Sequence, residues 1–180
     1  MFVTLFANEV TSEGVRYEFE SFNDLKKLLS EVVITSAKRK QRGWSPAKFR
    51  YDRRSLENVA EVCVLVLDID TQQPPEIPDD VSFFAHTTFS GNWRLVIELT
   101  RPYTALEHAP LRRAVMAEFG IDENLGPREA ADSSRFYFAP CATAPEKFHT
   151  VEGTGRPIDV DAFLEHVAPV YEAPPATPAP

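Results

Sequence analysis

The run Val62-Cys63-Val64-Leu65-Val66-Leu67-Asp68-Ile69-Asp70 constrains this chain more than any other feature. A strand with one face in water alternates apolar and polar residues, and this run shows no alternation until its closing acids. It predicts a strand buried on both faces, hence central in a sheet that helices cover. The flanking segments supply the rest of such a sheet. MFVTLF (1–6) reads as a short strand, and VRYEFE (15–20) alternates like a second. Ser21 and Asp24 have capping-box spacing, and Leu25, Leu28, Leu29, Val32 and Val33 form one apolar stripe, so 22–33 predicts an amphipathic helix. The stretch 36–54, with Gly43 and Pro46, reads as loop. After a Pro- and Asp-rich loop (71–80), VSFFAHTT and WRLVIEL flank a short Ser90-Gly91-Asn92 turn and predict a β-hairpin. Thr104 to Phe119 predicts a helix capped by Thr104 and Glu107, with Pro110 delaying or kinking its start. Arg135–Ala139 predicts a further strand and 160–167 a short closing helix. The expected fold class is α+β with a mixed sheet.

Composition bounds the rest. A chain of 180 residues with 43% apolar and 11% aromatic content has the material for one folded domain. Two cysteines, Cys63 and Cys141, exclude a disulfide framework and a zinc-ribbon pattern. The first residues lack the basic region and long apolar core of a signal peptide, and no apolar run has the length that crosses a membrane. The expectation is a cytoplasmic protein with no membrane partner. Composition changes at Pro169, where the last 12 residues hold five of the 15 prolines. That predicts a domain over 1–168 and an extended linker or frayed tail over 169–180.

The net charge of −8 argues against a simple nucleic-acid binder, but the average hides an asymmetry. Residues 1–61 carry 11 basic and 9 acidic residues, and residues 62–180 carry 8 and 18. Within the first part, Lys38, Arg39, Lys40, Arg42, Lys48, Arg50, Arg53 and Arg54 stand against Asp52 alone in 36–54. Such a stretch is a candidate cationic surface, and a solvated basic loop is the plainer alternative.

Asp68 and Asp70 are the acids that carry chemistry. In a strand, residues i and i+2 point to one face, so two carboxylates at the end of an apolar strand repel each other unless something positive lies between them. A divalent cation with hard oxygen ligands is one answer; acids that end the strand in solvent are the other. Arg94 projects from the second hairpin strand beside a Gly-containing turn, where a phosphate can approach backbone N–H groups. His86 lies on the partner strand. A His and an Arg beside two carboxylates make a phosphate cradle, while an Arg94–Glu98 pair and a core imidazole are the bland equivalent. Asp122 follows a helix, and Asp132-Ser133-Ser134-Arg135 opens the aromatic strand, with Asp132 equally suited to an Asx turn.

SPAKFRYDRR with EVCVLVLDID, then HTTFSGNWRLVIELTRP, then IDENLGPREAADSSRFYFAP form three ordered blocks over residues 45–140. Together they resemble the phage- and plasmid-encoded branch of the archaeo-eukaryotic primase (prim-pol) superfamily. The family's first motif, a hydrophobic strand ending in D-x-D, matches Asp68 and Asp70. Its second, s-x-H, finds Ser90 but has Asn92 where histidine is expected. Either His86 serves from the neighbouring strand, or Arg94 takes that role, or nucleotide handling is weakened. The third, an acid followed by an Arg on a strand, matches Asp122 and Asp132-Ser133-Ser134-Arg135.

The resemblance implies an RRM-like catalytic sheet joined to a small N-terminal αβ unit. It implies primase-polymerase activity, with nucleotidyl transfer from NTPs or dNTPs on a single-stranded DNA template. A helicase domain or partner C-terminal to this one is also implied. In that scheme Asp68, Asp70 and Asp122, with Asp132 as the alternative third ligand, hold Mg²⁺ or Mn²⁺. Arg94, Arg135, Ser90 and one of His86 or Asn92 bind the incoming nucleotide. Lys38, Arg39, Lys40, Arg42, Trp44, Lys48 and Arg50, with Phe49 and Tyr51 interleaved, follow the template. The missing histidine is also compatible with a non-catalytic single-strand or origin-binding module on the same fold. A metal nuclease using the same acids has no further signature here.

Overall fold

The computed structural model describes residues 1–122 and 132–165. The expected tail, 169–180, lies outside the described residues. The strand that dominates the sequence is β6 (Val59–Ile69), and its neighbours are β8 (Trp93–Tyr103) and β5 (Ala47–Phe49). With β7 (Ser82–Thr87) and β11 (Thr150–Thr154) they form a five-stranded sheet in the order β11-β7-β8-β6-β5. Alternation sorts β6 into two faces, both buried as its composition requires. Leu65, Leu67 and Ile69 join one apolar cluster, and Val64 and Val66 join the other, so Asp68 lies on the second face.

Each face has its own cover. α2 (Ala105–Glu118) lays Leu111, Val115 and Met116 on the first, followed by the short α3 (Val160–Glu165). α1 (Phe22–Ser30) lays Phe22, Leu25 and Leu29 on the second. The Asp24 carboxylate accepts hydrogen bonds from the Ser21 N–H and hydroxyl at 3.2 and 2.8 Å, fixing the start of α1. This helix is shorter than predicted, because Val33 leaves it for β3 (Val33–Ile34) and pairs with β10 (Cys141–Ala142). α2 begins at Ala105 with Pro110 inside it, so the proline does not delay the helix. Gly120, at φ 63°, closes it: the Ile121 N–H reaches the Met116 carbonyl and the Gly120 N–H that of Ala117.

A second, four-stranded sheet runs β2-β1-β4-β9, with β1 Phe2–Phe6, β2 Val15–Glu18, β4 Gly43–Ser45 and β9 Tyr137–Phe138. The N-terminal unit is therefore completed by two residues from far along the chain. At its centre Gly43 has no room for a side chain: a Cβ there would collide with the Phe136 ring and the Tyr137 carbonyl.

Two expectations are corrected. The stretch 36–54 is not simply loop, since it contributes β4 and β5. The larger sheets are wholly antiparallel rather than mixed; β3 with β10 is the parallel pair, apart from isolated bridges. The reason is connection length: β7 and β8 are joined by a tight hairpin, which forces antiparallel pairing. No helix among the described residues is long and apolar enough to cross a membrane.

Candidate functional site

The site is a row of side chains across three strands. Asp68 on β6 stands opposite Arg94 on β8, and Arg94 stands opposite His86 on β7. All three project from the face that the N-terminal unit covers, so water is largely excluded. The Asp68 carboxylate accepts from Arg94 Nε at 2.7 Å and Nη2 at 3.3 Å, in the two-pronged geometry that suits a planar guanidinium. Arg135, arriving from the segment before β9, donates Nη2 to the same carboxylate at 3.3 Å. Burial alone would raise the Asp68 carboxyl; the charges and hydrogen bonds of Arg94, reinforced by Arg135, outweigh it and hold the group below its ordinary range.

Tyr137 forms the floor. Both guanidiniums lie over its ring, at 4.6 Å for Arg94 and 5.7 Å for Arg135, and Arg94 Nη1 donates to the Phe138 carbonyl at 3.1 Å. Neither Tyr137 nor that carbonyl was singled out from sequence. The alternation of the aromatic strand is the signal that could have found Tyr137, since it puts that ring on the inner face.

His86 is 1% exposed, and burial together with Arg94 lowers its pKa to about 4, so the ring is neutral at pH 7. Its Nδ1 lies 2.9 Å from the Thr87 carbonyl, which can only accept, so Nδ1 carries the proton. Nε2 is left as a buried lone pair with no partner among the described residues. The hairpin turn is pinned from outside: Gly91 takes φ 87°, and Asn92 donates Nδ2 to Asp70 at 3.0 Å. Asp70 and Ser90 are exposed, and the Ser90 hydroxyl lies 3.2 Å from that of Thr88. Asn92 thus ties the turn to the second acid in this structure.

Asp122 is exposed just beyond the end of α2. Asp132 takes the Asx-turn role: its Oδ1 accepts from the Ser134 N–H at 2.8 Å and hydroxyl at 2.7 Å. Among the described residues no group of three or more His, Cys, Asp or Glu side chains comes together as a metal site. Each Asp68 oxygen faces a guanidinium, and the exposed Asp70 accepts from Asn92. In this arrangement the described residues do not fit a divalent cation.

The expected template track divides. Trp44 is 2% exposed and packs against Tyr137, and Phe49 is buried too, so neither ring is open to a base. Lys48 pairs with Glu61 at 3.0 Å on the edge strand β5, beside the start of β6. Asp68 closes that strand's other end. Arg39, Lys40, Arg42 and Arg50 are exposed, and so is Tyr51, 89% open at a left-handed φ of 62°. Lys38 is half-buried. Its ammonium lies 5.0 Å over the Phe138 ring, and it lines one small cavity with His86, Arg94 and the 138–141 backbone.

Two antiparallel sheets thus enclose a buried acid–arginine row. The fold is similar to that of the solved archaeo-eukaryotic primase domain of the cyanophage S-2L primase-polymerase. The match covers 93% of this chain and 89% of that one, with a TM-score of 0.51 and 10% sequence identity. No protein-family model matches the chain, and no curated protein matches its sequence significantly.

Proposed function

We propose that this chain is a primase-polymerase domain that binds a nucleoside triphosphate and adds nucleotides on a single-stranded DNA template. The observation that carries the reading is the Asp68–Arg94–Arg135 constellation, set at the end of the central sheet on a primase-polymerase-type fold. Preorganised arginines over an aromatic floor suit the charge of a triphosphate, and water exclusion strengthens them. The exposed cations Arg39, Lys40, Arg42 and Arg50 with Tyr51 suit the template strand. Mg²⁺ or Mn²⁺ is the cofactor such transfer uses.

The test is synthesis on single-stranded DNA with Mn²⁺ and either NTPs or dNTPs. Product from the wild type, and none from a folded Asp68→Ala, Asp70→Ala double variant, is the expected result; product from the double variant refutes the assignment. A second reading, a non-catalytic single-strand or origin-binding module, is favoured by the guanidiniums that occupy both oxygens of Asp68. It predicts template binding with no product from the wild type.

A further inference from the structure

The geometry points to a clamp in which Lys38 joins Arg94, itself held with Arg135 on Asp68, and takes the phosphates of a nucleoside triphosphate directly, without a bridging divalent cation. This rests on the nucleotide reading above and adds to it a third cation and a binding mode. Polymerase sites that take a metal–nucleotide complex need carboxylates free to coordinate. Here Asp68 is spent on the arginines: its oxygens are 2.7 and 3.3 Å from Arg94 and 3.3 Å from Arg135, and it is 12% exposed. A carboxylate so placed does not attract a cation; it holds two guanidiniums still. Arg94 uses Nε, Nη1 and Nη2 in these contacts, so its orientation is over-determined.

Lys38 completes the clamp from the other side. It forms no ion pair with an acid among the described residues, and the ring of Phe138 steadies it while the carbonyl of Phe138 steadies Arg94. Both cations also bear on the buried Cys141 thiol, which lines the same cavity. Nothing in the sequence spacing joins Lys38 to Arg94, 56 positions apart. β3 and β10 bring them together, because their pairing docks the segment that carries Lys38 against the one that follows Phe138. The cavity between them has about 10 Å³, room for about one water, and His86 lines it with an unpartnered Nε2. The phosphates therefore belong at its mouth, on Lys38 and Arg94, and a ligand hydroxyl or a water donates to His86.

The experiment measures binding of a fluorescent, non-hydrolysable nucleoside triphosphate to the full chain, once in EDTA and once in Mn²⁺. Affinities agreeing within a factor of about three support the clamp. Lys38→Ala should weaken binding in EDTA about tenfold, the loss of one charged hydrogen bond, with Lys38→Arg restoring it. Lys27→Ala, a surface change on α1, should change nothing. Binding that requires Mn²⁺, or a Lys38→Ala protein that binds like the wild type, overturns the clamp and leaves the nucleotide reading standing. No binding in either condition overturns both.

Discussion

Replacing Arg94 by methionine keeps an unbranched stem over Tyr137 and removes the charge. The change breaks contacts of 2.7 and 3.3 Å to Asp68 and the 3.1 Å bond to the Phe138 carbonyl. Asp68 then retains Arg135 at 3.3 Å in a site where only 12% of its side chain meets solvent. Two routes give the size of the loss. A unit charge pair near 4 Å at an effective dielectric of 20 is worth about 4 kcal/mol. Removing one partner of a buried pair costs about 3–5 kcal/mol. A domain this size has a total stability of about 5–15 kcal/mol, so the loss is measurable by urea unfolding, followed through the buried Trp44 and Trp93. The loss should also depend on pH. With Arg94 gone, burial is opposed mainly by Arg135, the Asp68 carboxyl titrates higher, and protonation relieves it, so the penalty at pH 7 exceeds that at pH 4. Asp68→Asn with Arg94→Met should cost less than the sum of the single changes, a coupling of about 2–3 kcal/mol. A coupling below about 0.5 kcal/mol, or a penalty equal at both pH values, would refute the picture of a buried pair.

His86 makes a second pH prediction. Its folded pKa of about 4 lies below the ordinary 6.5, so the unfolded chain takes up the proton first. Stability is full above pH 6.5 and falls as pH drops from 6.5 to about 4, by about 3 kcal/mol in all. His86→Gln should flatten that slope in denaturant titrations across the window. Tyr51 and Trp44 should separate binding from folding. Tyr51→Gly removes a side chain from a left-handed position (φ 62°), so stability should hold or rise by up to about 1 kcal/mol while single-strand affinity falls about tenfold. Trp44→Phe, in the core, should do the reverse, lowering the melting temperature with template affinity unchanged.

Local pattern settled more of this protein than its length would suggest. The apolar run into Asp68 and Asp70, the capping boxes at Ser21 and Thr104 and the hairpin about Gly91 are short-range signals. Each is written within a few residues, and each element formed where its signal lay. The acid–arginine row was legible for the same reason, since strand alternation puts Asp68 and Arg94 on known faces. Tertiary structure decided what those faces meet. Trp44 looked like a stacking ring among cations and is core, because β4 carries it between two sheets. Lys38 looked like part of a template track and stands beside Arg94, because β3 pairs with a strand more than a hundred residues later. Asp68 closes its strand as the pattern predicts, and two guanidiniums reach it because Arg135 arrives from beyond α2. A sequence states which charges exist and on which side of an element they lie. Which opposite charge reaches a buried carboxylate depends on long-range packing, because residues distant in sequence meet only when the sheets close.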